Sequence, residues 1–155
     1  MKKGTRGEAH VHVSAPPEKL YDLVSDVTRM GEWSPETVGA EWVDGATAPL
    51  VGARFRGHNK RRAGWKTTCT VTAAEPGRQF AFEVGKGETA WRYSFAPSGT
   101  GTDVTESFEI LKEPNVVMRR LNKLGTGVSW EDRPAQMVDS MRETLERLKA
   151  VAERA

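Results

Sequence analysis

Apolar and polar residues alternate at the start of the chain and again through its middle. Within residues 6–13, Ala9, Val11 and Val13 share one face and the residues between them share the other. A period of two predicts a half-buried strand, and turn residues divide residues 37–111 into six more. These strands are predicted at about 37–44, 53–60, 64–75, 78–85, 88–96 and 102–111. Their short joints connect antiparallel neighbours, so the pattern predicts one antiparallel sheet of seven strands.

Apolar residues at three- and four-residue spacing predict helices before and after these six strands. A Pro-Pro pair opens a short helix after the first strand, and a second short helical segment ends at Gly31. Residues 115–124 are predicted to form an amphipathic helix with Gly125 as its C-cap. A long helix is predicted from about 131 to 153, because a single apolar stripe runs along this segment.

One sheet and one long helix predict an α+β fold. The strand faces that carry Arg54, Lys66 and Arg92 are polar, whereas the opposite faces are mostly apolar, so we expect one solvated and one buried side. The long C-terminal helix is the only predicted element large enough to cover the apolar side. A strongly twisted sheet wrapped around one helix seldom closes completely, and we therefore expect a cavity between them.

The composition is typical of one globular domain. The 155 residues include 37% hydrophobic and 28% charged residues, which predicts a single domain over residues 1–155. No apolar run approaches the ~18 residues of a membrane span, and none follows the two N-terminal lysines, so we expect no integral membrane association and no secretory signal. Cys69 is the only cysteine, which favours a cytoplasmic protein.

The charge pattern predicts no nucleic-acid partner, since a formal net charge of +2 is small. One basic cluster, Lys60-Arg61-Arg62, falls at a predicted hairpin tip. A solvated turn is the ordinary interpretation of such a cluster, and an electrostatic docking patch is the alternative.

No motif predicts a metal, a cofactor or a covalent catalyst. His10 and His12 lie two residues apart, but no further ligand completes a metal site. The sequence GKGETA at residues 85–90 has dinucleotide-binding spacing, yet it joins two strands and opens no helix. Cys69 has no evident partner base and is interpreted as a small buried hydrophobe.

Four polar residues stand out among the inward-facing positions: Asn59, Thr67, Tyr93 and Glu106. An apolar wall with a few polar groups is typical of a small-molecule site. A carboxylate facing inward must be paired, protonated or hydrated, so Glu106 is predicted to orient a ligand hydroxyl or carbonyl together with Asn59. The alternatives are a register shifted by one residue or a pair between Glu106 and an arginine near the rim.

Aromatic and methionine side chains complete the predicted binding site. Five tryptophans are many for this length, and they suit both cores and ligand walls. Methionine likewise adapts to irregular ligands and to ordinary cores. The predicted ligand-binding residues are Trp33, Phe55, Asn59, Trp65, Thr67, Phe82, Trp91, Tyr93, Glu106, Met137 and Met141.

Three stretches and the final amphipathic helix carry a resemblance to a known superfamily. The stretches are VSAPPE at 13–18, MGEWSPE at 30–36 and GARFRGHN at 52–59. Over about residues 6–153, the chain resembles the START/Bet v 1-like (SRPBCC) superfamily, and within it the polyketide cyclase/dehydrase and lipid-transport group. The resemblance implies a helix-grip fold, with two short helices after strand 1, a deep cavity between sheet and C-terminal helix, and Trp33 at the cavity rim.

This superfamily contains carriers, sensors and enzymes, so the resemblance leaves the function open. We favour a protein that binds a small hydrophobic or amphipathic molecule, such as a lipid, a polyketide or a quinone-like compound, with the short helix at 115–124 and Gly125 to Gly127 as a movable gate. The alternative is a polyketide cyclase or dehydratase that uses Glu106 and Tyr93 as its acid–base groups. A third hypothesis, an interaction module built on the basic hairpin tip, has no other feature in its support.

Overall fold

Seven strands and a long C-terminal helix account for most of residues 1–154, the residues that the computed structural model describes. The strands are β1 Arg6–Val13, β2 Thr37–Val43, β3 Arg54–Lys60, β4 Gly64–Glu75, β5 Gln79–Val84, β6 Thr89–Ser98 and β7 Gly101–Ile110. The helices are α1 Pro17–Ser25, α2 Val116–Thr126 and α3 Arg133–Arg154, and a 3-10 helix spans Val27–Glu32. The predicted α+β helix-grip architecture and the order of its elements are confirmed.

All seven strands form one antiparallel sheet in the order β1-β7-β6-β5-β4-β3-β2. Strands β2 to β7 follow one another as a meander. The turns from β3 onward have two to four residues, which is too short for a parallel crossover, and the longer β2–β3 connection spans residues 44–53. β1 pairs with β7 along its whole length, so the first strand and β2 form the two edges. The chain crosses from one edge to the other through α1 and the 3-10 helix.

Alternating residues of the strands form the buried face, as the period of two predicts. Phe55 and Val104 are at most 1% exposed, whereas Arg54 beside Phe55 is exposed. The stripe of α3 packs onto this face, and Met141 and Leu148 are also at most 1% exposed. The hydrophobic core therefore lies between one face of the sheet and one face of α3.

Two predicted helix ends are wrong. The 3-10 helix continues through Gly31 to Glu32, with Trp33 as its C-cap. Gly31 lies inside the helix, where a Cβ would be 2.4 Å from the carbonyl oxygen of Val38. Helix α2 continues through Gly125 and is capped by Gly127, whose φ of 77° lies in the left-handed region. No helix within residues 1–154 combines the length and the apolar character needed to cross a bilayer.

Candidate functional site

Glu106 and Tyr93 form a buried polar pair on the face of the sheet that α3 covers. They lie directly opposite each other on β7 and β6, and the Tyr93 hydroxyl donates a hydrogen bond of 2.9 Å to Glu106 Oε1. Glu106 is 5% exposed and Tyr93 is 6% exposed. Because Glu106 faces inward, the alternative of a register shifted by one residue is wrong. The other alternative, a pair with an arginine, is also wrong, since the hydrogen-bond partner of Glu106 is Tyr93.

The second carboxyl oxygen of Glu106, Oε2, is buried and has no hydrogen-bond partner among the described residues. Burial raises the pKa of Glu106 to about 8, although the hydrogen bond from Tyr93 acts in the opposite direction. Burial, together with the neighbouring carboxyl, also raises the pKa of Tyr93 well above its usual value. Both groups are therefore neutral near pH 7, and a neutral carboxyl group carries an O–H donor.

The surroundings of this pair are apolar. Phe108 follows Glu106 on the same face of β7, and its ring centroid lies 5.6 Å from that of Trp91 on β6. Met137 and Met141 of α3 are 6% and 1% exposed on the opposite wall. One polar pair between apolar walls can orient a ligand that is otherwise held by apolar contacts.

Asn59 belongs to a separate polar group. Its side-chain N–H donates to Thr67 Oγ1 at 3.1 Å, and its carbonyl oxygen accepts from Thr37 Oγ1 at 2.7 Å. Strands β4, β5 and β6 separate β3 from β7 in the sheet, so Asn59 and Glu106 are not neighbours. The structure brings Asn59 together with Thr67 from the predicted set, and Glu106 with Tyr93.

The inward-facing side chains are least buried near the β3–β4 hairpin. Trp65 and Thr67 are half-buried, in contrast with the buried Cys69 and Val71 further along β4. The C-terminal end of α2 lies over this region, since a Cβ built on Gly125 would be 3.5 Å from Cε3 of Trp65. Helix α2 therefore covers the least closed part of the interior.

Trp33, Phe55 and Phe82 lie in the core. The resemblance placed Trp33 at the cavity rim, but its side chain is 1% exposed and the guanidinium carbon of Arg29 lies 5.8 Å from its ring centroid. Phe55 and Phe82 pack edge to face with their ring centroids 5.1 Å apart. Each of these three aromatic residues therefore has packing partners of its own, and their contact with a ligand stays a prediction.

Two surface depressions lie away from the Glu106–Tyr93 pair. One of about 580 Å³ lies among residues 44–54. Another of about 270 Å³ is lined by Glu75, Arg78, Gln79, Ser94 and Phe95. No residue of the predicted binding site lines either depression. Neither depression is therefore the cavity that was expected between the sheet and α3.

Arg133 is a buried charge that the sequence pattern does not single out. Its guanidinium group binds both carboxylate oxygens of Glu36, at 2.8 and 3.1 Å, and also contacts Gln136. This pair joins the first turn of α3 to the segment before β2. The two partners are 97 positions apart in the chain, and no local spacing links them, so sequence patterning could not have found the pair.

Other candidate chemistry has little structural support. Within residues 1–154, no group of three or more His, Cys, Asp or Glu side chains is arranged to hold a metal ion. His10 and His12 are exposed and hydrogen-bond to Thr105 and Asp103. Burial raises the pKa of Cys69 to about 12, which keeps the thiol protonated and a poor nucleophile.

A family model described as polyketide cyclase / dehydrase and lipid transport matches residues 5–153. Among solved structures, the polyketide-cyclase-like protein Cgl2372 from Corynebacterium glutamicum is 33% identical in sequence and superimposes with a TM-score of 0.65. The match covers 99% of this chain and 94% of that protein. Among curated proteins, none matches the chain.

Two more distant structures show the same fold. An AHSA1-like protein from Aeromonas hydrophila is 22% identical, with a TM-score of 0.65 and coverage of 97% of this chain and 93% of that one. The di-domain ARO/CYC BexL from the BE-7585A biosynthetic pathway is 17% identical, with a TM-score of 0.71. That match covers 96% of this chain and 50% of BexL.

Proposed function

Since the chain belongs to the polyketide cyclase/dehydrase and lipid transport family, we propose that it binds one small hydrophobic or amphipathic molecule between the buried face of the sheet and α3. The ligand classes that fit are lipids, polyketides and quinone-like compounds. The observation that carries this proposal is the Glu106–Tyr93 pair, whose free Oε2 is buried among apolar side chains.

The pair indicates which end of a ligand it would contact. A neutral Glu106 has an O–H to donate, while Tyr93 already donates its own hydroxyl to the other carboxyl oxygen. A ligand carbonyl or hydroxyl oxygen is the acceptor that would satisfy Glu106. Such a contact fits an apolar molecule with one neutral oxygen-bearing group, because burying an unpaired ligand charge beside it would be costly.

The route inward is proposed at the β3–β4 hairpin. Trp65 is half-buried there, and the C-terminal end of α2 lies over it at Gly125. Movement of α2 would open a path to the pair without disturbing the packing of α3. We place this binding protein in the cytoplasm, in keeping with its single cysteine, a buried free thiol.

The first test is native mass spectrometry of the purified protein, followed by extraction and identification of anything bound. We expect one apolar molecule per chain. A protein that is empty and also ignores fatty acids, quinones and aromatic polyketides would contradict the proposal, and would indicate an interior filled by its own side chains.

A second test uses a long-chain ketone and the hydrocarbon of the same length. Affinity for the ketone should fall as pH rises past about 8, by at most about tenfold per pH unit, because Glu106 loses the proton that it donates. Affinity for the hydrocarbon should not depend on pH in this range. In the Glu106→Gln variant, affinity for the ketone should also lose its pH dependence. Glu109→Gln, on the partly exposed outer side of the same strand, is the matched control.

A polyketide cyclase or dehydratase is the alternative, and the 2.9 Å contact between two acid–base groups favours it. Glu106 would then act as general acid toward a departing hydroxyl group or a carbonyl oxygen. The two functions differ in the behaviour of Glu106→Gln. An enzyme would retain ligand affinity and lose turnover, whereas a carrier has no turnover to lose.

A further inference from the structure

Helix α2 exposes most of its apolar side chains. Of the eight large hydrophobic side chains that are exposed within residues 1–154, five lie on this helix of 11 residues. They are Val116, Val117, Met118, Leu121 and Leu124, with exposed fractions between 50% and 65%. Val117, Leu121 and Leu124 recur at four- and three-residue spacing, so they share one face of the helix. A contiguous apolar face of this kind marks an interaction surface.

The charged residues of α2 are all positive. Its sequence contains Arg119, Arg120 and Lys123 and no acidic residue. Arg119 reaches Glu113 at 3.4 Å, while Arg120 and Lys123 are exposed. Arg120 lies one helical turn before Leu124, so the exposed cations flank the apolar face.

The β3–β4 hairpin adds positive charge beside the end of α2. Its tip is Lys60-Arg61-Arg62, and the backbone N–H of Arg62 donates to the Gly125 carbonyl at 3.0 Å. The Arg61 side chain donates to the carbonyl of Thr126 at 3.2 Å. Hairpin tip and helix therefore form one surface, which we name the docking face. It consists of Val117, Leu121, Leu124, Arg120, Lys123, Lys60 and Arg62, whereas the Arg61 side chain also lies 4.0 Å from Glu36 and joins hairpin to helix.

We propose that the docking face binds the surface of a membrane that contains anionic lipids. A short helix with an apolar face and flanking cations lies in the interface between headgroups and acyl chains, where both kinds of side chain are satisfied. The leucines and valine enter the acyl boundary, and the cations lie at the level of the lipid phosphates. This inference does not depend on the ligand proposed above.

Two other occupants fit the docking face less well. A two-fold contact with a second copy would bring the cations of both copies together. A helix of 11 residues, about 16 Å long, also offers far less than the roughly 800 Å² per partner of a stable interface. A nucleic acid would neutralise the cations but leave Val117, Leu121 and Leu124 in water, since its backbone offers no apolar surface to cover them.

Co-sedimentation with vesicles tests the proposal on the full chain. We expect binding to vesicles of equal parts phosphatidylglycerol and phosphatidylcholine, and much weaker binding to pure phosphatidylcholine. Leu121→Ser with Leu124→Ser should weaken binding by about tenfold or more, because the bound protein no longer buries two leucine side chains in the membrane. Arg120→Gln with Lys123→Gln should weaken it by more than about tenfold, at roughly fivefold per cation, and added salt should reduce binding by the wild type.

Matched variants carry the same chemical changes away from the docking face. Leu50→Ser with Val51→Ser alters two aliphatic side chains that are 68% and 69% exposed and lie before β3, at the end opposite the hairpin tip. Arg142→Gln with Arg147→Gln removes two exposed cations from α3. Both control variants should bind the anionic vesicles as the wild type does. All substituted side chains are at least partly exposed, and circular dichroism checks that each variant folds.

Three outcomes would overturn the proposal. The first is a wild-type protein that stays in solution with anionic vesicles. The second is binding to duplex DNA as strong as binding to vesicles and insensitive to the leucine substitutions, which would assign the face to nucleic acid. The third is a concentration-dependent dimer that the leucine substitutions abolish, which would assign it to a second copy. Ligand affinity measured without vesicles separates failure of this proposal from failure of the proposed function.

Discussion

A carboxylic acid enclosed by apolar side chains is favoured in its neutral form, and this preference makes the stability of the fold depend on pH. Glu106 has a usual pKa of 4.5 and a pKa of about 8 in the folded chain. Between these values the folded state holds a proton that the unfolded state has lost. The free energy of unfolding contributed by this group therefore falls as pH rises from about 4.5 to about 8, and is flat outside that interval.

Glu106→Gln should remove this pH dependence. Each unit of pKa shift corresponds to about 1.4 kcal/mol, so we expect the variant to be more stable than the wild type by a few kcal/mol at pH 8 and to differ much less at pH 5. Urea unfolding at several pH values measures the difference. Glu109→Gln on the outer side of β7 should leave the wild-type slope intact, and an equal slope in wild type and Glu106→Gln would contradict the assignment.

Alternation was enough to place Glu106 inward, because a period of two assigns every residue of a strand to one face. It could not show that Tyr93 lies directly opposite, since the cross-strand register depends on the turn between β6 and β7. The same limit applies to Asn59, whose joint action with Glu106 on one ligand stays a prediction. Shared burial on one face does not specify neighbours, and the order of the strands separates the two residues.

Among the elements, strand ends and helix ends were both predicted to within about two residues, but the glycines that were expected to end two of the helices do not end them. Strand ends coincide with turn residues that interrupt a period of two. Helix ends were inferred from the first glycine after an apolar run, and α2 carries two such glycines. Gly125 lies against Trp65, and Gly127, two residues later, adopts the left-handed conformation that ends the helix. Local sequence does not distinguish these two roles.

Gly31 is a second glycine that was predicted to end a helix but lies inside it. A Cβ at this position would lie 2.4 Å from the carbonyl oxygen of Val38, so the 3-10 helix approaches β2 at a distance that only glycine allows. Gly31→Ala should force the two elements apart and destabilise the fold by about 1–3 kcal/mol. The measurement is the free energy of unfolding in urea.

Gly39→Ala is the matched control for this substitution. It lies in β2 one residue after Val38, and a Cβ there would meet nothing within 4 Å. We expect Gly39→Ala to be neutral or slightly stabilising, because alanine reduces the freedom of the unfolded chain. Equal effects of the two substitutions would show that steric contact with β2 does not determine the choice of glycine at position 31.

At the scale of the molecule, the sequence predicted which surfaces meet but not how completely they fill the space between them. Met137 and Met141 face the sheet as the stripe of α3 requires, yet cavity volume depends on rotamers that periodicity does not determine. The exposed apolar face of α2 was likewise outside prediction, because the apolar stripe of an amphipathic helix ordinarily faces the core and that of α2 does not. Both gaps concern tertiary contacts between segments far apart in sequence.

The Arg133–Glu36 pair is one such contact, and it holds the start of α3 beside β2. The side chains are 8% and 19% exposed, so removal of Arg133 leaves the partly desolvated Glu36 with the more distant Arg61, at 4.0 Å, in place of its close counterion. Arg133→Met should therefore destabilise the fold by about 2 kcal/mol or more. Arg142→Met, which breaks an exposed pair with Asp139 on the same helix, should cost no more than about 0.5 kcal/mol.

A double-mutant cycle separates the ion pair from the packing of the arginine stem. If the pair itself stabilises the junction, Glu36→Gln combined with Arg133→Met will cost less than the sum of the two single substitutions, because the double variant leaves no buried charge unpaired. We expect a coupling of about 1–2 kcal/mol by urea unfolding. Additive effects would mean that Arg133 acts through its aliphatic stem, and that α3 is held to the sheet by apolar packing alone.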